Sequence, residues 1–269
     1  MGDYNLELKI INGLNVLTSP ELLRERSMLI AYTTRTRGVS SPPYDSLNLG
    51  LHVGDVAGDV RQNRHMVTDD LRIPMKRLTT AKQVHKDVVA VITENNAGAG
   101  AVSYETAIDD TDALITNVSD TPLMILTADC LPVALASKDQ HVIGAVHAGS
   151  EGVYLEIVLR ALELMKSSFK VVEEDMLAFI GPGIRACCYE VSDERADIFK
   201  AKFGKDAVTG DRHLDLPVIV RSQLLAAGVK DEDIYDTGLC TCCREDLFFS
   251  YRRDGKCGRQ ALIVANIGK

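Results

Sequence analysis

The sequence predicts an α+β fold, one domain over residues 1–269 with mixed β-sheets flanked by helices. Three observations predict it. Apolar, partly β-branched runs of strand length recur along the chain, other stretches carry apolar residues at helical spacing, and the two kinds are mixed without strict βαβ alternation. No internal repeat, low-complexity tract or linker divides the chain into independent parts.

Taken in order, LELKI, then NG, then LNVLTS reads as an opening hairpin, because Asn12 and Gly13 supply the positive φ that a tight turn needs. MLIAYTTR is a further strand. SSPPYDSLNLGLHVGD holds too many turn formers for regular structure and predicts an ordered loop leading into a helix around VRQNRHMVTDDL. VVAVIT, PLMILTA and HVIGAVH read as strands. The small-residue segment AGAGAVSYETAID, between VVAVITENN and DALITNV, suits a flexible flap over a pocket. VYLEIVLRALELMKSSF has the period of one amphipathic helix, and it starts right after HAGSEG, where free backbone N–H groups and a positive dipole end suit an anion. MLAFIGPGI is a strand entering a turn, DERADIFKAKFG and LPVIVRSQLLAAG are helices, and FFSYRRDGKCGRQALIVANI closes the chain with a strand pair.

Composition narrows the function. With 269 residues, 46% hydrophobic and 25% charged, the chain is an ordinary globular protein with a sizeable core. No apolar stretch approaches the ~18 residues of a membrane span, and the start MGDYNLELKIING has no basic or apolar leader, so a cytoplasmic protein is expected. The seven cysteines read as reduced thiols. A net charge of −8 spread along the chain disfavours nucleic acid or an anionic membrane as partner and leaves a small molecule as the expected one.

Three residues offer chemistry to a single ion: His85 in TTAKQVHKD, Cys130 in LTADCLPV and His147 in AVHAGSEG. Two imidazoles and a thiolate suit Zn²⁺ with one position open, which is the catalytic pattern rather than the closed structural one. No short ligand-x-x-ligand pattern joins them, so only convergence in the fold brings them together. Each lies at or near the end of an apolar run. Taken singly, a cysteine is more often core filler and a histidine a satisfied polar group.

Two other cysteine groups stand out. Cys187 and Cys188 in RACCYEV read as a buried pair or pocket wall. In CTCC, Cys240, Cys242 and Cys243 give a C-x-x-C spacing that is half of a structural zinc site. Only Cys257 and His213 remain as partners for it, which argues against a second metal site.

Several stretches in the right order carry a resemblance: SLNLGLHVGD with QNR, KQVH, DALIT, TADCLPV, VHAG, IGPGI with CCYEV, and FFSYRRDG with GRQ. The chain resembles the YfiH-like (YlmD-like) family, long labelled laccase-domain or polyphenol oxidase proteins, whose bacterial members are read as purine nucleoside phosphorylases with adenosine deaminase activity. The resemblance covers nearly the whole chain. It implies the YfiH-like fold, and one zinc per chain held by His85, Cys130 and His147. It also implies phosphorolysis of adenosine, inosine, guanosine or methylthioadenosine to base and ribose 1-phosphate.

For such a reaction Asp129 and Asp112 are candidates for proton transfer or for orienting a ligand histidine; the plainer role is capping loops at strand ends. The leaving purine and the phosphate need cations or N–H donors, for which Arg64, Arg252, Arg253 and the backbone at Gly149 are available. Asn48 is placed to hydrogen-bond ribose or base, or simply to form its turn. One departure is conspicuous. Where the family usually reads HAGWRG or HAGWKG, this chain has Ser150 and Glu151, so an aromatic is lost and a cation becomes an anion.

Competing functions differ in their metals. A copper polyphenol oxidase needs several coppers on His-rich ligand pairs, whereas this chain has six histidines and no His-x-His element, so copper is the less favoured metal. A cysteine or zinc amide hydrolase in peptidoglycan quality control, with Cys130 as nucleophile and His147 or His85 as base, uses the same residue types. A non-catalytic nucleoside-binding protein is the third reading, and Ser150 with Glu151 favours it.

Overall fold

The structure, a computed structural model, describes residues 4–268. In chain order it contains β1 (Glu7–Ile11), β2 (Leu14–Thr18), α1 (Pro20–Arg26), β3 (Met28–Thr33), α2 (Ala57–Asp70), β4 (Thr79–Thr80), β5 (Val89–Val91), β6 (Ala113–Thr116), β7 (Leu123–Thr127), β8 (Leu131–Ser137) and β9 (Ile143–Ala148). The second half adds α3 (Ser150–Tyr154), α4 (Ile157–Phe169), β10 (Met176–Ile180), α5 (Asp193–Phe203), β11 (Val208–Thr209), β12 (His213–Leu214), α6 (Leu216–Ala227), β13 (Ile234–Asp236), α7 (Tyr251–Asp254) and β14 (Gln260–Asn266). Two six-stranded sheets dominate, in the orders β1-β2-β3-β14-β7-β4 and β13-β10-β8-β9-β6-β5. Both are mixed: β4 runs parallel to β7, and β5 and β13 run parallel to β6 and β10, while the other neighbours are antiparallel. The α+β class with mixed sheets is therefore what the sequence predicts.

Side-chain alternation explains how the sheets stack. On β14, Leu262 and Val264 point into a core shared with the second sheet, while Ala261, Ile263 and Ala265 pack outward with Val67 and Leu71 of α2 and its C-terminal cap. On β8, Ala134 and Ala136 face the first sheet while Leu131, Val133 and Leu135 face α4, α5 and α6. The period of two thus serves two cores at once, which is why these strands read as continuous apolar runs instead of alternating ones. Each buried Leu or Ile contributes about 1.5–3 kcal/mol. The Tyr32 hydroxyl crosses the shared layer and donates to the Phe179 carbonyl at 2.6 Å, tying one sheet to the other.

Most elements fall where expected. The hairpin closes with Ile11 opposite Leu14, and Asn12 and Gly13 both hold positive φ, 49° and 99°. Three expectations need correction. The stretch after His147 is not one helix: α3 closes at Leu155, and Glu156, with φ 64°, turns the chain before α4 starts. This lets α3 hold Ser150 beside the site while Val158, Ala161 and Met165 of α4 pack on the second sheet. The chain does not end in a strand pair. Ser250 accepts from the Arg253 N–H and starts α7, and Phe249 is paired to β14 only through the side-chain amide of Gln260. The AGAGAVSYETAID segment is no free flap, because the carbonyls of Gly100 and Ala101 accept from Arg64 at 2.6 and 2.8 Å, and Ala101 and Ala107 are buried. Helix α1, which the sequence reading passed over, was signalled by Ser19 as N-cap and Pro20 at the first position. No helix among the described residues is long and apolar enough to cross a membrane.

Candidate metal centre and its cavity

Strand β7 belongs to the first sheet and β8 to the second, so Ala128–Cys130 is the place where the chain steps between them. The step is sharp. Asp129 takes φ 98°, a conformation costly for any residue with a side chain, and its carboxylate is held by the Thr241 hydroxyl and the Arg252 N–H, both at 2.7 Å. That turn delivers Cys130 to the end of the inter-sheet layer. Strand β9 sends Ile143 and Ala145 into the same layer, and by the period of two His147 is the next residue on that face, opposite Pro132. His85 comes from the loop between β4 and β5 with φ 61°.

One carboxylate arranges two of the three. Asp112, fully buried at the start of β6, takes the Nδ1 side of His147 at 2.8 Å and also accepts the backbone N–H groups of Val84, His85 and Lys86 at 3.2, 3.0 and 2.8 Å. With Nδ1 engaged, the Nε2 of His147 is left for the thiol side. Burial alone would raise the Asp112 carboxyl, but His147 and these N–H groups outweigh it and hold it below the usual carboxylate range. Burial would likewise raise Cys130; His147 and His85 reverse this and bring its thiol down to about 6. Burial would lower His147, yet Cys130 and Asp112 bring it up to about 9. The site is therefore built to hold a thiolate.

The ligand atoms of His85, Cys130 and His147 all lie within 4.8 Å of one another, close to the roughly 3.5 Å spacing of donors around one tetrahedral ion. Gly149 keeps the space open: a Cβ there would meet Cys130 Sγ at 2.9 Å and His85 Cδ2 at 3.3 Å. A soft thiolate with two imidazoles, backed by a carboxylate and open on one side, fits a borderline ion such as Zn²⁺.

The open side faces a cavity of about 460 Å³, within the range of small-molecule sites, which run from ~300 to ~1,000 Å³. His85, Cys130, His147, Asp129 and Arg252 line it. Asp112 does not; it stands behind His147. Other expected substrate residues are spent on the protein itself, and these are corrections. Arg64 is 2% exposed, with all its bonds going to the carbonyls of Leu49, Gly100 and Ala101. Asn48 is fully buried, its carbonyl accepting from Gly50 and Arg259 N–H groups and its amide donating to Asp55. Arg253 donates to the carbonyls of Thr241, Cys242 and Phe248 and pairs with Asp254. Each is a strut, not a wall of the cavity. Sequence reasoning missed His52, Gln83, Thr127, Ser150, Tyr189, Tyr251 and Arg259 as lining residues, although all but Ser150 stand inside the motif stretches that carried the resemblance.

The Ser150–Glu151 departure has a partner. Arg195 of α5 donates to Ser150 Oγ at 3.3 Å and to the Glu151 carboxylate at 2.9 Å, with its guanidinium 4.9 Å above the Phe199 ring. A cation is thus present beside Ser150, delivered from another helix.

Residues 29–266 match the family described as multi-copper polyphenol oxidoreductase laccase. The chain is similar to purine nucleoside phosphorylase YlmD of Geobacillus stearothermophilus, 35% identical over 240 residues that cover 86% of this chain and 88% of that protein. It is also similar to purine nucleoside phosphorylase YfiH of Escherichia coli, 34% identical over 254 residues, 92% of this chain and 98% of that one. Its fold is similar to the crystal structure of a Bacillus licheniformis hypothetical protein YfiH, with TM-score 0.88 and 33% identity over 93% of this chain and 96% of the other.

Proposed function

The chain belongs to the multi-copper polyphenol oxidoreductase laccase family, and from that membership we propose that it is a zinc-dependent purine nucleoside phosphorylase with adenosine deamination as a side activity. The observation that carries the reading is the convergence of His85, Cys130 and His147 on one wall of a cavity of small-molecule size. We place it in the cytoplasm as one domain over 1–269. The donor set argues against the oxidase the family label suggests: with six histidines in the chain and one His₂Cys group among the described residues, the several His-rich copper ligands of O₂ reduction are not assembled.

Held by His85, Cys130 and His147, zinc would supply a Lewis acid with one open coordination position. The protein's own groups account for the rest. Phosphorolysis forms a bond from phosphate oxygen to C1′ as the C1′–N9 bond breaks, its electron pair leaving with the purine, which must then take a proton. Arg252 and Arg259 both line the cavity, two cations for a phosphate dianion. Leu126, Ile184 and Leu216 give an apolar side for the planar base, and Tyr189 and Tyr251 give rings and hydroxyls. Thr127, on the cavity wall, has a buried hydroxyl with no protein partner among the described residues, an orphan that a substrate hydroxyl or base nitrogen would satisfy. Asp112 acts as a positioning residue, fixing the His147 tautomer and the His85 loop. Asp129 positions Cys130 and α7.

A second reading, amide hydrolysis with Cys130 as nucleophile, is favoured by the lowered thiol beside a protonated His147. One experiment separates the two. Pure protein is incubated with adenosine, with and without phosphate, and adenine, inosine and ribose 1-phosphate are followed by chromatography. Phosphate-dependent adenine release supports phosphorolysis; no turnover of adenosine, inosine or guanosine by zinc-replete protein overturns it.

A further inference from the structure

The cysteines set apart from the cavity are brought together by the fold. Cys187 and Cys188 follow the turn after β10, while Cys240 and Cys243 sit in the loop after β13. Two backbone bonds and one side-chain bond knit these loops: Gly183 N–H to the Leu239 carbonyl, Thr241 N–H to the Gly183 carbonyl, and the Arg185 guanidinium to the Leu239 carbonyl. The result is a group of four sulfurs all within 4.8 Å of one another, with Cys243 Sγ 3.4 Å from Cys188 Sγ and 3.6 Å from Cys187 Sγ. Around a zinc ion with Zn–S bonds of 2.3 Å, tetrahedral sulfurs stand roughly 3.8 Å apart. The missing half of the C-x-x-C element is thus Cys187 and Cys188, neither Cys257 nor His213.

We propose that Cys187, Cys188, Cys240 and Cys243 form a second, closed metal site that takes one Zn²⁺ as a tetrathiolate and locks the loop carrying Ile184 and Tyr189 of the cavity wall to the loop that leads into α7. Cys240 is buried, next to the backbone bonds that join the two loops. Binding is an exchange without redox: four thiols and one Zn²⁺ give a zinc tetrathiolate of charge −2 and release four protons. Guanidiniums brace the same loops through their carbonyls, Arg185 on Leu239, Arg252 on Cys188 and Arg253 on Thr241. Four sulfur ligands leave no open position, so this ion is structural where the His₂Cys ion is not. Its effect reaches the cavity through Thr241 and Arg252, both of which hold the Asp129 carboxylate.

The proposal is independent of phosphorolysis, and metal stoichiometry tests it. Full-length protein, produced with added zinc and purified under reducing conditions, is measured by elemental analysis as wild type, Cys187→Ser, Cys243→Ser and Cys130→Ala. Two zinc ions per chain are expected in wild type and one in each variant. Cobalt-loaded Cys130→Ala should show the strong sulfur-to-metal charge-transfer bands of a tetrathiolate. A single zinc that survives Cys130→Ala but not Cys187→Ser supports this site and counts against zinc at the other. Zinc content unchanged by Cys187→Ser and Cys243→Ser, or four thiols that titrate freely in zinc-replete protein, overturns it.

Discussion

Asp112 shows how one residue can prepare a site without touching what binds there. Its two oxygens engage the His147 ring and accept from three successive N–H groups around His85, so both imidazoles depend on it. Asp112→Asn keeps the shape but offers an amide nitrogen where one oxygen accepts, and metal affinity should fall by ~10–100-fold, the usual cost of losing such a partner. Chelator competition measures this; an unchanged affinity would remove Asp112 from the account. Arg195 is the second telling residue. Its ion pair with Glu151 is partly exposed, so a double-mutant cycle of Arg195→Ala with Glu151→Ala should return a coupling of only ~0.2–1 kcal/mol. Yet Arg195→Ala also removes the cation beside Ser150, and the phosphate KM should rise severalfold, with partial rescue by Arg195→Lys. A phosphate KM that does not move would leave Arg195 a packing residue alone.

At the scale of elements, α2 is fastened by Arg64. The side chain looked like a phosphate ligand in the sequence, but a buried guanidinium bonded to three carbonyls is a cross-brace between α2, the loop at Leu49 and the segment at Gly100. Burial pulls its pKa down to about 9, still a cation at neutral pH. Arg64→Met strands those carbonyls, and roughly 3 kcal/mol or more of stability should be lost, read from denaturant midpoints. The KM values of the remaining folded protein should hold. Preserved stability with a weakened substrate KM would restore the ligand role. The break between α3 and α4 belongs to the same scale: the apolar period continues through Leu155 and Glu156, so periodicity alone could not show that the chain turns there.

For the whole molecule, the class and the central strands were legible because strands such as β6, β8 and β9 serve two cores and are apolar throughout. Strand order was not legible, since neighbours such as β3 and β14 lie at opposite ends of the chain. Legibility of the site followed the same divide. His85, Cys130 and His147 stood out by residue type, whereas Arg64, Asn48 and Arg253 misled because a buried polar strut and an exposed ligand have the same letter. The four-cysteine group went unrecognised because its halves are joined only by loop pairing.

Acid stability is also set globally. Arg253 holds Asp254 below the ordinary carboxylate range, and Arg244 and Lys166 do the same for Asp246 and Glu173. Their folded pKa values lie below the unfolded ones, so this stability is present above the ordinary range and is lost as pH falls through the depressed values, below about pH 4. Urea midpoints across pH should drop there, with a shallower drop in Asp254→Asn; midpoints that rise on acidification would contradict the sign.

His85, Cys130 and His147 are proposed as the centre of a nucleoside phosphorylase. Phosphorus NMR of inosine and inorganic phosphate with wild-type and Cys130→Ala protein tests it most directly. Ribose 1-phosphate should grow as phosphate is consumed with wild type and not with Cys130→Ala. Zinc-replete wild type that leaves the phosphate signal unchanged, or an undiminished rate in Cys130→Ala, would contradict the account.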